Sequence, residues 1–144
     1  MKKEVYNHPI KEYALRLVGK PYIWGGSGSG GFDCSGFVIE CLQAFGVLPQ
    51  GDWTSQSLLE RFERLGYKKV RKTEITGLEV CFWGKERAKH CSIALDGDFV
   101  IEAGGGTQKC TSAQNSTGMV RIRPLAWRTD FICAFKVPLK AARF

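Results

Sequence analysis

The chain has only two histidines, His8 and His90, and its six cysteines include no C-x-x-C pair. Structural zinc sites need close pairs of such ligands, so neither a metal nor another cofactor is expected. No run approaches the roughly 20 apolar residues of a membrane-spanning helix. The N-terminus, M-K-K-E-V-Y-N-H-P-I-K-E, is charged but lacks the apolar core of a secretory signal. The chain is therefore expected to be cytoplasmic as made, to leave by another route, or to have lost a leader. It also lacks repeats, linkers and low-complexity runs, so residues 1–144 read as a single domain.

With 144 residues, 44% of them hydrophobic, the chain can bury a real core. Cys34, Cys41, Cys81, Cys91, Cys110 and Cys133 allow fifteen pairings if all were bridged, but a chain of this length needs no bridges, and reduced thiols are expected. The net charge of +7 suits an anionic partner. Lys and Arg are scattered from Lys2 to Arg143, and no basic helix carries interleaved aromatics, so nucleic acid is not expected.

Three helices come first. Pro9 to Val18 places Ile10, Tyr13, Ala14, Leu17 and Val18 on one face, with Asn7 as cap, Gly19 as stop and His8 on the surface. A helix beginning at Cys34 or Ser35, capped by Asp33, repeats Phe37, Val38, Cys41, Leu42 and Phe45 and stops at Gly46. Thr54 to Leu65 is the third, capped by Thr54 or Asp52, burying Leu58, Leu59, Phe62 and Leu65. Five short segments rich in β-branched and aromatic residues follow, at Glu79–Trp83, His90–Leu95, Phe99–Ala103, Met119–Arg123 and Phe131–Val137. Helices before strands predict an α+β fold, with the Cys34 helix laid on an antiparallel sheet. The small, polar stretch from Gly104 to Gly118 reads as a loop bordering the functional site.

The chemistry concentrates between Gly19 and Gly46. A thiol in the first turn of a helix feels the macrodipole and unpaired N–H groups, which favour thiolate. A cysteine near a helix start is more often a small core residue. Gly25, Gly26, Gly28, Gly30, Gly31 and Gly36 argue otherwise, because they let backbone approach a ligand and leave the thiol uncovered. Cys34 is thus a candidate nucleophile.

Such a nucleophile needs a base and a group to orient that base. His90 opens a strand on which His90, Ser92 and Ala94 face one way and Cys91, Ile93 and Leu95 the other, which predicts that Cys91 stays clear of the site. If Asp96-Gly97-Asp98 is the loop, Ser92 pairs with Glu102, and Glu102 reaches His90 diagonally. A two-residue loop would turn Glu102 to the opposite face.

P-Y-I-W-G-G, a glycine-rich loop and D-C-S-G-F, together with G-L-E-V-C-F-W-G and H-C-S-I-A-L-D-G-D-F-V-I-E-A, resemble the NlpC-type cell-wall peptidases, a branch of the papain-like cysteine peptidases. The similarity runs from about Tyr13 to Ala103. It implies a papain-like α+β domain with a sheet of about five strands, in which Cys34 is the nucleophile and His90 the base. Glu102 stands where the family most often has His, Asn or Gln. The resemblance further implies that Tyr22 assists the oxyanion and that Asp33 and Ser35 help bind the free amine of a short peptide. Trp24 reads as pocket wall or core. Leu78 departs from the usual Asp at a structural position.

The expected activity is hydrolysis of peptidoglycan stem peptides at the D-γ-glutamyl to diamino acid bond. The expected partners are that peptide and an anionic wall polymer, and the expected state is a monomer, made in the cytoplasm or delivered to the wall by a phage. Two alternatives use the same residues: an inactive wall or phage-assembly binding module, suggested by the unusual Glu102, and a thiol acyltransferase or amidase on another amide. The latter needs a longer apolar pocket, for which the sequence shows no stretch.

Overall fold

The computed structural model describes residues 8–28 and 30–139. Helix α1 (Pro9–Arg16) is capped by His8, whose Nδ1 accepts from the Ile10 N–H at 3.1 Å while Nε2–H donates to the Leu139 carbonyl at 2.9 Å. His8 is thus half-buried between the two ends of the described chain rather than a surface residue, and the expected cap, Asn7, lies outside the described residues. The helix ends before Val18, which is left exposed instead of packed.

Helix α2 (Cys34–Ala44) begins at Cys34 because the Asp33 carboxylate accepts from the Gly36 N–H at 2.7 Å. It is buried on most sides through Phe37, Val38, Ile39, Cys41 and Leu42. Helix α3 (Ser55–Arg64) is capped by Thr54 and buries Leu58, Leu59 and Phe62. Leu65, expected in the core, falls past the last turn and is exposed. Gly46 and Gly66, at φ +68° and +69°, turn the chain out of α2 and α3.

A small ribbon, β1 (Ser27–Gly28) with β2 (Gly31–Phe32), precedes α2. The main sheet contains β3 (Lys68–Val70), β4 (Val80–Trp83), β5 (His90–Ala94), β6 (Phe99–Gly104), β7 (Met119–Pro124) and β8 (Phe131–Lys136). All six are antiparallel, in the order β3-β8-β4-β5-β6-β7. One strand more than expected forms. The sequence of β3, Lys-Lys-Val, has a single buried residue and so carries no readable period. Glu79, expected to open β4, instead closes the preceding turn: its buried carboxylate accepts from the N–H groups of Thr76 and Gly77 and from the Thr76 hydroxyl.

The helices cover one face of the sheet. Phe62, Phe82 and Phe135 meet there edge to face, beside Phe37, Leu58, Ile93 and Ile101. Each such side chain contributes about 1.5–3 kcal/mol by leaving water. The other face carries Trp83, Ala94, Val100, Leu125 and Ala134, with the Trp83 indole donating to Ser92 Oγ at 3.1 Å. Ile93 pairs with Ile101 and Ala94 with Val100, and the Leu95 N–H donates to Phe99 O at 2.8 Å. The loop is therefore Asp96-Gly97-Asp98, held by Asp96 Oδ1 accepting from Asp98 and Phe99 N–H. Among the described residues no helix is long and apolar enough to cross a membrane.

Candidate active site

The glycine-rich stretch lies directly on the first turn of α2. A Cβ on Gly36 would overlap the Gly26 carbonyl oxygen, and one on Gly26 would stand 2.8 Å from the Ile23 carbonyl oxygen. These glycines serve backbone-to-backbone packing that fixes Cys34 at the helix start, a different use from uncovering the thiol.

The loop register brings His90 and Glu102 together. His90 Nε2 and Glu102 Oε1 are 3.0 Å apart, and their side chains are 9% and 2% exposed. Nδ1 is then the ring nitrogen left for Cys34, which shares with His90, Glu102 and Tyr22 a cleft of about 220 Å³. Burial opposes charging His90, but hydrogen bonds and negative charge from Cys34 and Glu102 outweigh it and raise its pKa to about 9. Burial alone would raise the Glu102 pKa. Hydrogen bonding and positive charge from His90, then from Arg121, bring it below the ordinary carboxylate value.

Cys34 is half-buried, with Ser55 Oγ 3.6 Å from its Sγ. Ser55 Oγ also donates to Cys91 Sγ at 3.4 Å, and Cys91 Sγ lies 3.7 Å from the Cys34 carbonyl oxygen, so its one thiol proton has the carbonyl and the Cys34 sulfur as competing acceptors. Cys91 does face away from His90, as alternation requires. That face is the one on which α2 rests, so Cys91 lies against Cys34 instead of clear of it. Hydrogen bonding by Cys91, then by His90, with the His90 charge and Ser55, draws the Cys34 pKa well below the ordinary 9.0 against the effect of burial. The same contact, with burial, pushes the Cys91 pKa up, so the ionised sulfur of the pair is Cys34.

Tyr22 is buried beside Cys34, and burial followed by the negative charge of Cys34 and Asp33 pushes its hydroxyl pKa up, keeping it a proton donor. A Cβ on Gly106 would overlap its ring. Asp33 and Ser35 line a second, wider groove of about 380 Å³ on the other side of the α2 start, with Trp24, Asp52, Trp53 and Ser57. Trp24 is 54% exposed, hence groove wall and not core. The Asp33 carboxylate, whose pKa burial raises, also caps α2.

Sequence reading missed Arg121, Lys89, Ser55 and Cys91 around the cleft and Asp52 and Trp53 along the groove. Arg121 sits opposite Glu102 on β7, across a 14-residue loop whose length hides the register. Among the described residues no group of three or more His, Cys, Asp or Glu could hold a metal.

Six proteins of known description match at a significant level, and three illustrate the range. A probable endopeptidase of Mycobacterium tuberculosis is 50% identical over 38 residues, which are 26% of this chain and 10% of that protein. The peptidoglycan endopeptidase RipA of Mycobacterium tuberculosis is 29% identical over 117 residues, covering 69% of this chain and 23% of RipA. The probable peptidoglycan endopeptidase LytE of Bacillus subtilis is 29% identical over 107 residues, covering 72% and 29%. The chain thus spans less than a third of each of these relatives. Among solved structures, the NlpC/p60 domain of the peptidoglycan hydrolase SagA superposes with a TM-score of 0.66 at 24% identity, over 88% of this chain and 95% of that one. RipD of Mycobacterium tuberculosis, described as a non-catalytic NlpC/p60 domain protein adapted to peptidoglycan binding, gives 0.64 at 17% identity over 90% and 95%. These likenesses agree with the expected papain-like fold, and the family model matches residues 19–125. The chain belongs to the NlpC/P60 family.

Proposed function

We propose that the chain is a cysteine peptidase or amidase cutting peptidoglycan stem peptides between D-γ-glutamate and the diamino acid. The observation that carries this reading is the set formed by a half-buried thiol of lowered pKa at a helix N-terminus, a histidine of raised pKa beside it, and a buried carboxylate 3.0 Å from that histidine's Nε2. The endopeptidase names of RipA and LytE support the substrate class.

The reaction follows from these states. Cys34 thiolate attacks the amide carbonyl, and the tetrahedral oxyanion accepts hydrogen bonds from the Tyr22 hydroxyl and the Cys34 N–H. The His90 imidazolium gives its proton to the leaving amine as the C–N bond breaks, leaving a thioester. Neutral His90 then takes a proton from water, which attacks the thioester, releases the acid and restores the ion pair. Glu102 holds the imidazole by its N–H and stabilises the charged ring. Asp33 and Ser35 receive the free amine of the stem peptide in the wider groove. The net charge of +7 suits an anionic wall polymer as further partner, and phage delivery or release from the cell brings the enzyme to the wall.

The test is digestion of L-Ala-D-γ-Glu-diaminopimelate by the unaltered protein and by Cys34→Ala, with products identified by mass. Cleavage after D-Glu by the unaltered protein alone is the expected result. Absence of cleavage by both, with Cys34 alkylating as an ordinary thiol, would overturn the reading and leave a binding module, the class in which RipD is described.

A further inference from the structure

The carboxylate behind His90 has two partners. Glu102 Oε1 faces His90, while Oε2 accepts from Arg121 Nε at 3.2 Å and lies 3.1 Å from Arg121 Nη2. Arg121 is fixed in turn: it is the cross-strand partner of Glu102 on β7, and its guanidinium lies 5.8 Å from the Trp127 ring centre. Room for the pair comes from two glycines. A Cβ on Gly104 would overlap Glu102 Oε2 and stand 3.0 Å from Arg121 Nη2, and one on Gly105, at φ +80°, would stand 2.9 Å from Arg121 Nη1.

A sheet of this kind does not need such a pair. Burying a carboxylate beside a guanidinium gains little or nothing over apolar packing of the same volume, and here Glu102 is 2% exposed while Arg121 keeps 28% of its side chain in solvent. A carboxylate with one oxygen on a histidine and the other on a guanidinium can no longer rotate about its side chain. We infer that Arg121 is a positioning residue: it locks the Glu102 carboxylate in the one orientation that aims Oε1 at His90, acts on the thiol only through Glu102, and depends on Gly104 and Gly105 for clearance.

This inference rests on the reading of Cys34, His90 and Glu102 as nucleophile, base and orienting group. The other charged or titratable groups facing them are Asp33, Lys89, Arg128, Asp130, Tyr22 and Cys91, and Arg128 is itself engaged by Asp130 at 2.7 Å.

The experiment measures stem-peptide hydrolysis and the pH profile of Cys34 alkylation by iodoacetamide. It compares the unaltered protein with Arg121→Met, Arg121→Lys, Glu102→Gln and the double variant Glu102→Gln/Arg121→Met. Arg121→Met is expected to lower kcat about 10- to 100-fold, a range usual for lost supporting contacts, with KM held within about twofold. The acid limb of alkylation should move upward, and Arg121→Lys should recover part of the loss because it restores charge but not the planar fork. In the Glu102→Gln background the Arg121 change should cost nothing further. If Arg121→Met does not fold, as judged by thermal unfolding, Arg121→Lys made alone and as Glu102→Gln/Arg121→Lys carries the same test. A raised KM at unchanged kcat would make Arg121 a substrate contact and overturn the inference, as would equal losses in both backgrounds. An unchanged alkylation profile, with the unaltered protein showing a depressed one, overturns this inference alone. An ordinary thiol profile in the unaltered protein overturns the underlying reading with it.

Discussion

Helix position alone does not account for the state of Cys34. A macrodipole contributes about 0.3–1 kcal/mol, less than the 1.36 kcal/mol that moves a pKa by one unit. The neighbours must supply most of the shift, and the Cys91 thiol is the strongest of them. Cys91→Ala should therefore slow alkylation of Cys34 at pH 6 severalfold and leave the rate at pH 9.5 nearly unchanged. Cys91→Ser, which keeps a donor, should lie between; equal rates for all three proteins at pH 6 would refute the role of Cys91. As candidates, Cys34 and His90 stood out by their local sequence, while Glu102 depended on the length of the loop after the His90 strand. Cys91 did not stand out. Alternation told which face of β5 it takes, but the helix resting on that face is named only by the tertiary fold.

At the scale of elements, the glycines divide in use: Gly25 and Gly28 stand in open space, as expected of a run that leaves the site uncovered, while Gly26 and Gly36 serve backbone packing. The first turn of α2 and the backbone just before β1 approach so closely that Gly36 has the Gly26 carbonyl where a side chain would stand. Gly36→Ala adds helix propensity worth about 1 kcal/mol, while overpacking a closed contact costs about 1–3 kcal/mol and displaces the turn that holds Cys34. Net destabilisation, seen as a lower urea midpoint, is the expected result; a gain would show that the contact yields easily. The helices were legible to within two residues because caps and apolar spacing agree. Strand β3 was hidden by its lysines, and the loop after β6 revealed only its composition. In the fold that loop is tied to the site: Ser116 Oγ donates to the Tyr22 carbonyl at 2.6 Å, and the Thr107 and Thr117 N–H groups donate to Cys110 Sγ at 3.4 and 3.5 Å.

Across the whole molecule, the α+β order was readable, and the β5–β6 register came down to two choices: a three-residue loop puts Glu102 beside His90, a two-residue loop turns it away, and the fold takes the former. The β6–β7 register was not readable, since a long loop fixes no offset, and Arg121 stayed out of view with it. The thiolate and imidazolium that this arrangement holds have a further consequence for folding. In the unfolded chain His90 has an ordinary pKa of 6.5 and Cys34 one of 9.0, so between these values the proton rests on sulfur. In the folded chain it rests on His90 until about pH 9. The raised His90 pKa gives stability that is complete below 6.5 and lost as pH rises towards 9. The lowered Cys34 pKa gives stability that is complete above 9.0 and lost as pH falls, and across the interval the two slopes cancel. Folding thus carries one proton from sulfur to nitrogen and takes none from the buffer. Urea unfolding between pH 6.5 and 9 should show a level free energy from this pair, measured with Cys110→Ser because the Cys110 thiol, lowered to about 7 chiefly by hydrogen bonding from Thr107, titrates in the same range. A steep slope there would mean that the pair exchanges a proton with the buffer on folding, ending as thiolate beside neutral imidazole or as thiol beside imidazolium. A level one, together with thiolate ultraviolet absorbance that appears only in the folded protein, would mean that the fold charges its own reactive pair, at no cost in pH sensitivity.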